Sequence, residues 1–352
     1  MNDLRAILAE TVARIFTDHV TGSVLESAEQ GTWPEKLWLA LQENGVTQPL
    51  VPESRGGAGG TWRDAFVVGR AAGKHLAPVP LPETMIASWL LAEAGLDIPP
   101  GPLIVAPVRP DDRLRLERRA GGVAVHGVAT RVPWGAAAKH IVTVGTVGPE
   151  TWVALVPGAA VPVTPGRNMA LEPRDTLTFD GIAAAAAAPA GPRVPADAIR
   201  LAGAMLRSAQ IAGALERALE KAVEHVTIRV QFGRTLSRFQ AIQQQLAVLA
   251  EQAAAARVAA EQASRAADRG DATFEIACAK VRAGEAAGIG AGIAHQVHGA
   301  IGFTYEHVLH FITRRLWSWR SEFGTEAAWA ETLGRAARRR GADQLWPDLT
   351  AR

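Results

Sequence analysis

The segment that most limits how this chain can fold runs from Ile228 to Gln243. A long helical pattern reaches it, breaks at Gly233, and restarts with apolar residues at Leu236, Phe239, Ile242, Leu246 and Leu249. Those offsets of three and four put one apolar face on a second helix. Glycine tolerates the left-handed conformation, so Gly233 is expected to end the first helix. The turn then presents Arg229, Gln231 and Phe232 on one side and Gln240 on the other. An arginine fork for phosphate, an aromatic ring and amides that read a purine edge form a nucleotide-binding group. A plain helix hairpin with a solvated arginine satisfies the same spacing.

Texture divides the rest of the chain. Residues 1–98 read as helical, with Leu4, Ile7, Leu8, Val12 and Ile15 at helical spacing and breaks at Pro52, Gly56–Gly60 and Pro78–Pro82. Residues 99–192 carry short apolar runs such as Leu103–Ala106, His140–Val144 and Thr151–Val156, punctuated by glycine and proline, which predicts a small β domain. The alanine run Ala183–Ala188, closed by Pro189 and Pro192, is expected to be a surface crossing between domains. From residue 193 to 352 the pattern is helical, over Ala196–His225, Leu236–Ala267, Phe274–His298, Tyr305–Trp319 and Thr325–Arg339. Its density of small residues suits a close-packed antiparallel bundle. The expected class is α+β, mostly α.

Composition excludes several functions. Among 352 residues, 37 basic and 35 acidic side chains leave a formal charge of +2, which gives no electrostatic case for nucleic acid. No apolar run approaches the ~18 residues of a membrane span, and the N-terminus lacks a signal-peptide layout, so a cytoplasmic location is expected. The single cysteine, Cys278, forbids an internal disulfide and is expected to be a small buried residue. Glu306, His307 and His310 sit at helical spacing, but no second ligand pair accompanies them and no metal site is expected. Thr304 would cap a helix starting beside them. Arg314–Arg320, rich in arginine and tryptophan, is expected to face another subunit.

Three stretches resemble one family. Arg229-x-Gln231-Phe232-Gly233, followed by Phe239-Gln240-Ala241-Ile242-Gln243, resembles the flavin-contacting turn of the acyl-CoA dehydrogenases. Gln296-Val297-His298-Gly299-Ala300-Ile301-Gly302-Phe303-Thr304 is similar to that family's second flavin turn, and Val51-Pro52-Glu53-Ser54-Arg55-Gly56-Gly57-Ala58-Gly59 to an upstream loop. The resemblance implies a helical, β, helical order and an FAD shared across a subunit interface. One subunit surrounds the isoalloxazine ring; its neighbour supplies the turns for pyrophosphate and adenine. It also implies roles. Arg229 would pair with the pyrophosphate, Phe232 would pack against the flavin chain, and Gln231 beside them would belong to the cofactor-binding set. Gln240 and Gln296 would supply amide contacts, while Gly299 and Ala300 would admit close backbone approach. Ala300 stands where a second glycine is usual.

The half that a subunit keeps for its own flavin departs from the family pattern. Val105-Ala106-Pro107-Val108-Arg109-Pro110-Asp111-Asp112 stands where the family has hydroxyls and a glycine. Arg131 and Pro133 fall where a tryptophan and a threonine meet the ring; Trp134 would replace them only after a register shift. The catalytic carboxylate is missing as well. Phe323 holds its usual place before Gly324-Thr325, with Glu322 one residue and about 100° of helix away. The alternative place in the first bundle helix falls on Gly203-Ala204. No catalytic residue is therefore assigned.

The implied function is α,β-desaturation of an acyl-CoA thioester. This chain would be a non-catalytic subunit beside a related acyl-CoA dehydrogenase subunit that carries the base. Two alternatives remain: a self-sufficient homo-oligomer with Glu322 or Glu306 as a displaced base, and a flavin-free scaffold. The acyl group is not fixed by the sequence; heteromeric relatives often act on bulky substrates such as steroid side chains, and fatty acid and steroid side-chain degradation both stay open.

Overall fold

The structure, a computed structural model, describes residues 2–350, with the backbone alone for residues 2–4, so the Leu4 side chain lies outside it. Five helices come first: α1 (Asn2–His19), α2 (Gly22–Glu29), α3 (Glu35–Glu43), α4 (Trp62–His75) and α5 (Leu81–Glu93). Local chemistry sets their starts. The Thr21 hydroxyl accepts the Val24 N–H at the head of α2, and Asp64 accepts the Thr61 N–H at 2.8 Å at the head of α4. Helix α5 is buried from Leu81 to Leu91, as an all-round apolar helix must be. It joins the helical layer to the strands, with Thr84 Oγ1 donating to the Leu103 carbonyl at 2.8 Å.

The strands are β1 (Leu103–Val105), β2 (Leu114–Arg119), β3 (Gly122–Pro133), β4 (His140–Val147), β5 (Glu150–Pro157), β6 (Val163–Thr164), β7 (Arg174–Ala183) and β8 (Ala186–Pro189). They make two four-stranded sheets, ordered β1-β4-β5-β8 and β2-β3-β7-β6. Ile104, Val125, Ile141, Leu177 and Phe179 fill the space between them. The alanine run is not a free surface crossing. Ala186–Ala188 pair with Leu155, Ala154 and Val153 as an edge strand. Alanine has little strand preference of its own, so the open edge of β5 decides the conformation.

The second helical part holds α6 (Ala198–Ile228), the short strands β9 (Val230–Gln231) and β10 (Arg234–Thr235), then α7 (Gln240–Ala267), α8 (Thr273–His298), α9 (Leu309–Trp319), α10 (Glu326–Arg340) and α11 (Leu345–Thr350). Ala214, Ala218, Ala222, Ala256, Ala287 and Ala291 are fully buried between these helices. Helix α4 crosses α6 closely enough that a methyl group on Gly73 would overlap the Gln210 carbonyl, and one on Gly213 the Arg70 carbonyl. Helix α9 starts at Leu309 and not at Tyr305. The Thr304 hydroxyl donates to the Ile301 carbonyl at 3.0 Å instead of capping a helix. Among the described residues, no helix is long and apolar enough to cross a membrane. Cys278 is half-buried.

Candidate functional site: an open end and a packed centre

Helix α6 ends at Ile228, five residues before Gly233, with the Arg229 N–H bonded to the His225 carbonyl at 2.9 Å. Gly233 therefore does not stop the helix. It forms the second corner of a two-residue hairpin in which Gln231 faces Arg234 and Val230 faces Thr235. Both corners have positive φ, 52° at Phe232 and 75° at Gly233, as a type I′ turn requires. A bulky residue at such a corner is strained, and the strain comes without compensating burial, since Phe232 is 91% exposed. The Arg234 guanidinium lies 4.1 Å over the Phe239 ring, and the Leu236 N–H bonds the Arg229 carbonyl at 2.9 Å, fixing the return path. Leu236 and Phe239 thus precede α7, which opens at Gln240.

The second turn leaves α8 at His298. Gly299 adopts φ 66° and ψ −146°, a conformation open in practice to glycine alone, and Gly299–Phe303 form a 3-10 turn. The two turns share a root, because the His225 ring at the end of α6 stacks on His298 at the end of α8, 4.6 Å between centroids. Arg229, Gln231, Phe232, Gln240, Gln296, Gly299 and Ala300 are all exposed. Arg229 has no carboxylate partner among the described residues. This end offers a free guanidinium, two amides at helix ends, and bare backbone, a set suited to an anionic, aromatic ligand.

The centre of the molecule is the opposite. Gly203 and Phe323, the two places where a carboxylate was sought, lie against each other: a methyl group on Gly203 would overlap the Phe323 ring. Phe323 is 4% exposed, with φ 55°. Its neighbour Glu322 is largely enclosed, with 15% of its side chain exposed, and already engaged. It accepts from Arg174 Nε at 2.7 Å and Nη2 at 3.0 Å, and from Arg207 Nη2 at 2.9 Å. Burial opposes the Glu322 charge, but Arg174 and Arg207 outweigh it and hold the carboxyl below its usual range. Such a group is a poor proton acceptor. Glu306 lies exposed in the turn before α9, and its own N–H and the Thr304 hydroxyl keep it ionised.

Glu322 belongs to a buried ion network that joins all three parts of the chain. Arg207 also binds Glu83 of α5 at 2.9 Å, and Arg174 binds Glu172 at 2.9 Å. Glu172 further accepts from Arg315 Nε at 3.2 Å and Trp319 Nε1 at 2.9 Å. Burial raises the cost of the Glu172 charge, yet its three arginines lower the pKa to about 2. For Glu83 burial wins, and its pKa is raised despite Arg207. Nearby, burial pulls Lys280 down to about 8; its ammonium donates to the Arg320 and Gly324 carbonyls at 2.6 and 2.9 Å. The arginines expected to face another subunit are thus mostly internal, with Arg314 on Glu29, Arg315 on Glu172 and Arg320 on Glu326. Trp317 alone of that pair of tryptophans is exposed, at 42%. Sequence reasoning missed this network.

The strand half of the site is packed as well. Ala106 and Val108 point into the core, and Asp112 pins Thr130 by its N–H at 2.7 Å. A bulge between Ala129 and Val132 does shift the register, and Arg131, at φ 54°, projects outward from it. Trp134 nevertheless leaves the strand at φ 61° and is buried edge-on against Trp33, 6.1 Å between centroids.

Comparison with known proteins agrees with this architecture. Residues 3–97 match the model for the acyl-CoA dehydrogenase N-terminal domain, and residues 201–337 that for the acyl-CoA dehydrogenase C-terminal domain. The acyl-CoA dehydrogenase IpdE2 of Mycobacterium tuberculosis is 30% identical over 319 residues, 88% of this chain and 90% of that one. Among solved structures, one described as the Tcur3481-Tcur3483 steroid ACAD G363A variant superposes with a TM-score of 0.84 at 25% identity, covering 95% of this chain and 97% of that one. The ChsE4-ChsE5 complex of Mycobacterium tuberculosis gives 0.84 at 24% identity, over 94% and 96%. The fold is that of a flavoprotein oxidoreductase acting on acyl thioesters. The chain belongs to the acyl-CoA dehydrogenase family.

Proposed function

We propose that this chain is the non-catalytic subunit of a heteromeric acyl-CoA dehydrogenase. It lends its two exposed turns to an FAD whose ring pocket and base belong to a related partner subunit. The observation that carries the reading is the contact of Phe323 with Gly203. Both places for a base are present, neither holds a carboxylate, and a ring fills the space between them. FAD, when bound, accepts the hydride from the acyl β-carbon. On this chain, Arg229 holds the pyrophosphate, Gln231 and Phe232 flank the flavin chain, and Gln240 and Gln296 orient the nucleotide through their amides. Gly299 and Ala300 keep that backbone free of side chains.

The fit rests on geometry. An unpaired arginine, a strained phenylalanine that meets only the Phe239 ring edge-on, and a glycine-only backbone occur together at one exposed end. A partner's apolar surface would also cover Phe232, Ile228 and Phe303, which are 91%, 72% and 70% exposed. The relative described as Tcur3481-Tcur3483 carries two names and the words steroid ACAD. That supports a paired assembly and a bulky, steroid-like acyl-CoA as the substrate class.

The test is the visible absorption of the chain purified alone and after coexpression with a related neighbouring chain. The expected result is a colourless solo protein and a yellow complex holding a single flavin per heterodimer. A yellow homo-oligomer that bleaches with an acyl-CoA would overturn the reading. Loss of that bleaching in Glu322→Gln would then identify Glu322 as the base.

A further inference from the structure

Five of the chain's nine histidines, His225, His295, His298, His307 and His310, lie at the root of the two exposed turns. Three of them form a column. The His225 and His298 rings stack at 4.6 Å and 27°, and His298 meets His307 at 4.8 Å and 58°. Each ring comes from a different element: the last turn of α6, the last residue of α8, and the loop leading into α9. Stacked rings do not converge their nitrogens on one point, and the described residues contain no group of three such side chains able to hold a metal. The column's job is therefore mechanical. It ties the carbonyl that receives the Arg229 N–H to the residue that precedes Gly299.

We infer that this column is a proton switch: three neutral imidazoles hold the two turns together, and protonation drives the turns apart. Three observations carry the inference. First, His298 is 5% exposed, so a charge there is poorly solvated. Secondly, its Nδ1 lies 2.7 Å from the Ala294 carbonyl and carries the proton of the neutral ring. Thirdly, His307 Nδ1 accepts the Leu309 N–H at 3.2 Å and so caps α9; protonation of that nitrogen removes the cap.

The surroundings offset the charge only in part: the Ala294 and Lys221 carbonyls favour a charged His298 and Glu224 a charged His307, but burial outweighs them. On α6, Lys221 and Arg229 are cations, and Glu224 is held by Lys221 at 2.6 Å. On α8, His295 Nε2 is engaged by Thr313 Oγ1 at 2.8 Å; on α9, His310 Nδ1 meets the His307 carbonyl at 2.7 Å. Glu306, the acid in the connecting turn, is held by its own N–H and Thr304. Burial lowers the pKa of His225, His298 and His307 alike; neighbouring imidazoles and cations add to it at His225 and His307, while at His298 the Ala294 and Lys221 carbonyls oppose it without overcoming it. Neutral rings are thus favoured in the fold. The column's contribution is fully present above the ordinary histidine range, and is lost as pH falls through it and the depressed folded values below.

Opening of the turns is a property of the chain alone; that it also releases nucleotide rests on the function proposed above. The experiment is hydrogen–deuterium exchange of the solo chain at about pH 7.5 and about pH 5.5, with intrinsic rates corrected. Protection over residues 225–236 and 298–309 is expected to fall about tenfold at the lower pH, with α10, which holds no histidine, unchanged. His225→Phe, which keeps a flat ring without the charge, and His307→Asn, whose amide oxygen still caps Leu309, are expected to abolish most of that fall. Equal protection at both pH values, or an undiminished acid response in both variants, would overturn the switch. In the flavin-loaded complex, nucleotide release should quicken over the same pH range. Turns that open in the solo chain while flavin retention ignores pH would leave the switch standing and sink the nucleotide role of the turns.

Discussion

The two ends of α6 have been treated in opposite ways. Around Gly203 the helix is sealed by the Phe323 ring and by a six-membered charge network in which Glu83, Glu172 and Glu322 balance Arg174, Arg207 and Arg315. Beyond Ile228 the chain spends a left-handed phenylalanine and a free arginine on solvent. In a self-sufficient dehydrogenase both regions must accommodate ligand. Here a ring and paired charges fill the centre, while the far end leaves a strained corner and an unpaired arginine exposed. On the function proposed above, strain tolerated at the surface marks where a partner is expected. Substitutions at the centre should cost stability and leave the turns alone, and substitutions at the turns should do the reverse.

The centre should give the largest effects. Arg174→Met leaves Glu172 and Glu322 buried without their shared partner, and is expected to cost about 3–5 kcal/mol in denaturant unfolding. A cost under about 1 kcal/mol would mean that water reaches the network. Acid tests the same centre without mutation. The folded pKa of Glu172, about 2, lies below its unfolded value, so its contribution is complete above about pH 4.5 and disappears as pH falls toward 2. The loss should reach about 3 kcal/mol between those limits, partly countered by Glu83, whose raised pKa acts in the other sense. A flat stability curve from about pH 5 to pH 3 would contradict the ionised state of the network.

Gly203→Ala comes next. The new methyl group meets the Phe323 ring, and overpacking of this kind costs about 1–3 kcal/mol. Phe323→Ala alone should cost about 3 kcal/mol by leaving a cavity. The double variant should be more stable than the sum, since each change relieves the other, and a double-mutant cycle measures that coupling. Strict additivity would show that the ring does not occupy the Gly203 hollow.

The layered order of helix, strand and helix was legible because punctuation by Gly56–Gly60, Pro78–Pro82 and the proline-flanked short runs reports local backbone chemistry. The features that failed to show are those decided at a distance. Ala186–Ala188 became a strand because β5 offered an edge. Gly233 reads as a helix stop, and only the paired positive φ of Phe232 reveals a hairpin. The ion network joins residues as far apart as Glu83 and Glu322, with no spacing to betray it, and one of its arginines, Arg315, was expected to face another subunit. The residues of the two exposed turns could be singled out from their own short segments, with their role in the proposal above, whereas the packed centre was visible only as a set of missing groups.

The smallest stability effects, and the ones that most directly separate the two regions, belong to the turns. Phe232→Asn places at the first hairpin corner a residue that accepts positive φ readily, so the solo chain should gain up to about 1 kcal/mol. Arg229→Ala, at an exposed cation without a carboxylate partner, should change solo stability by less than about 0.5 kcal/mol. In the coexpressed complex the order reverses. Arg229→Ala should weaken flavin retention by about 1.5–3 kcal/mol, the worth of a charge-assisted contact to the pyrophosphate, and Phe232→Asn should weaken assembly with the partner. A strained residue kept for another subunit must stabilise the complex more than it destabilises the monomer. If Phe232→Asn destabilises the solo chain, or leaves the complex untouched, the hairpin is ordinary local structure and the contrast between open end and packed centre loses its functional meaning.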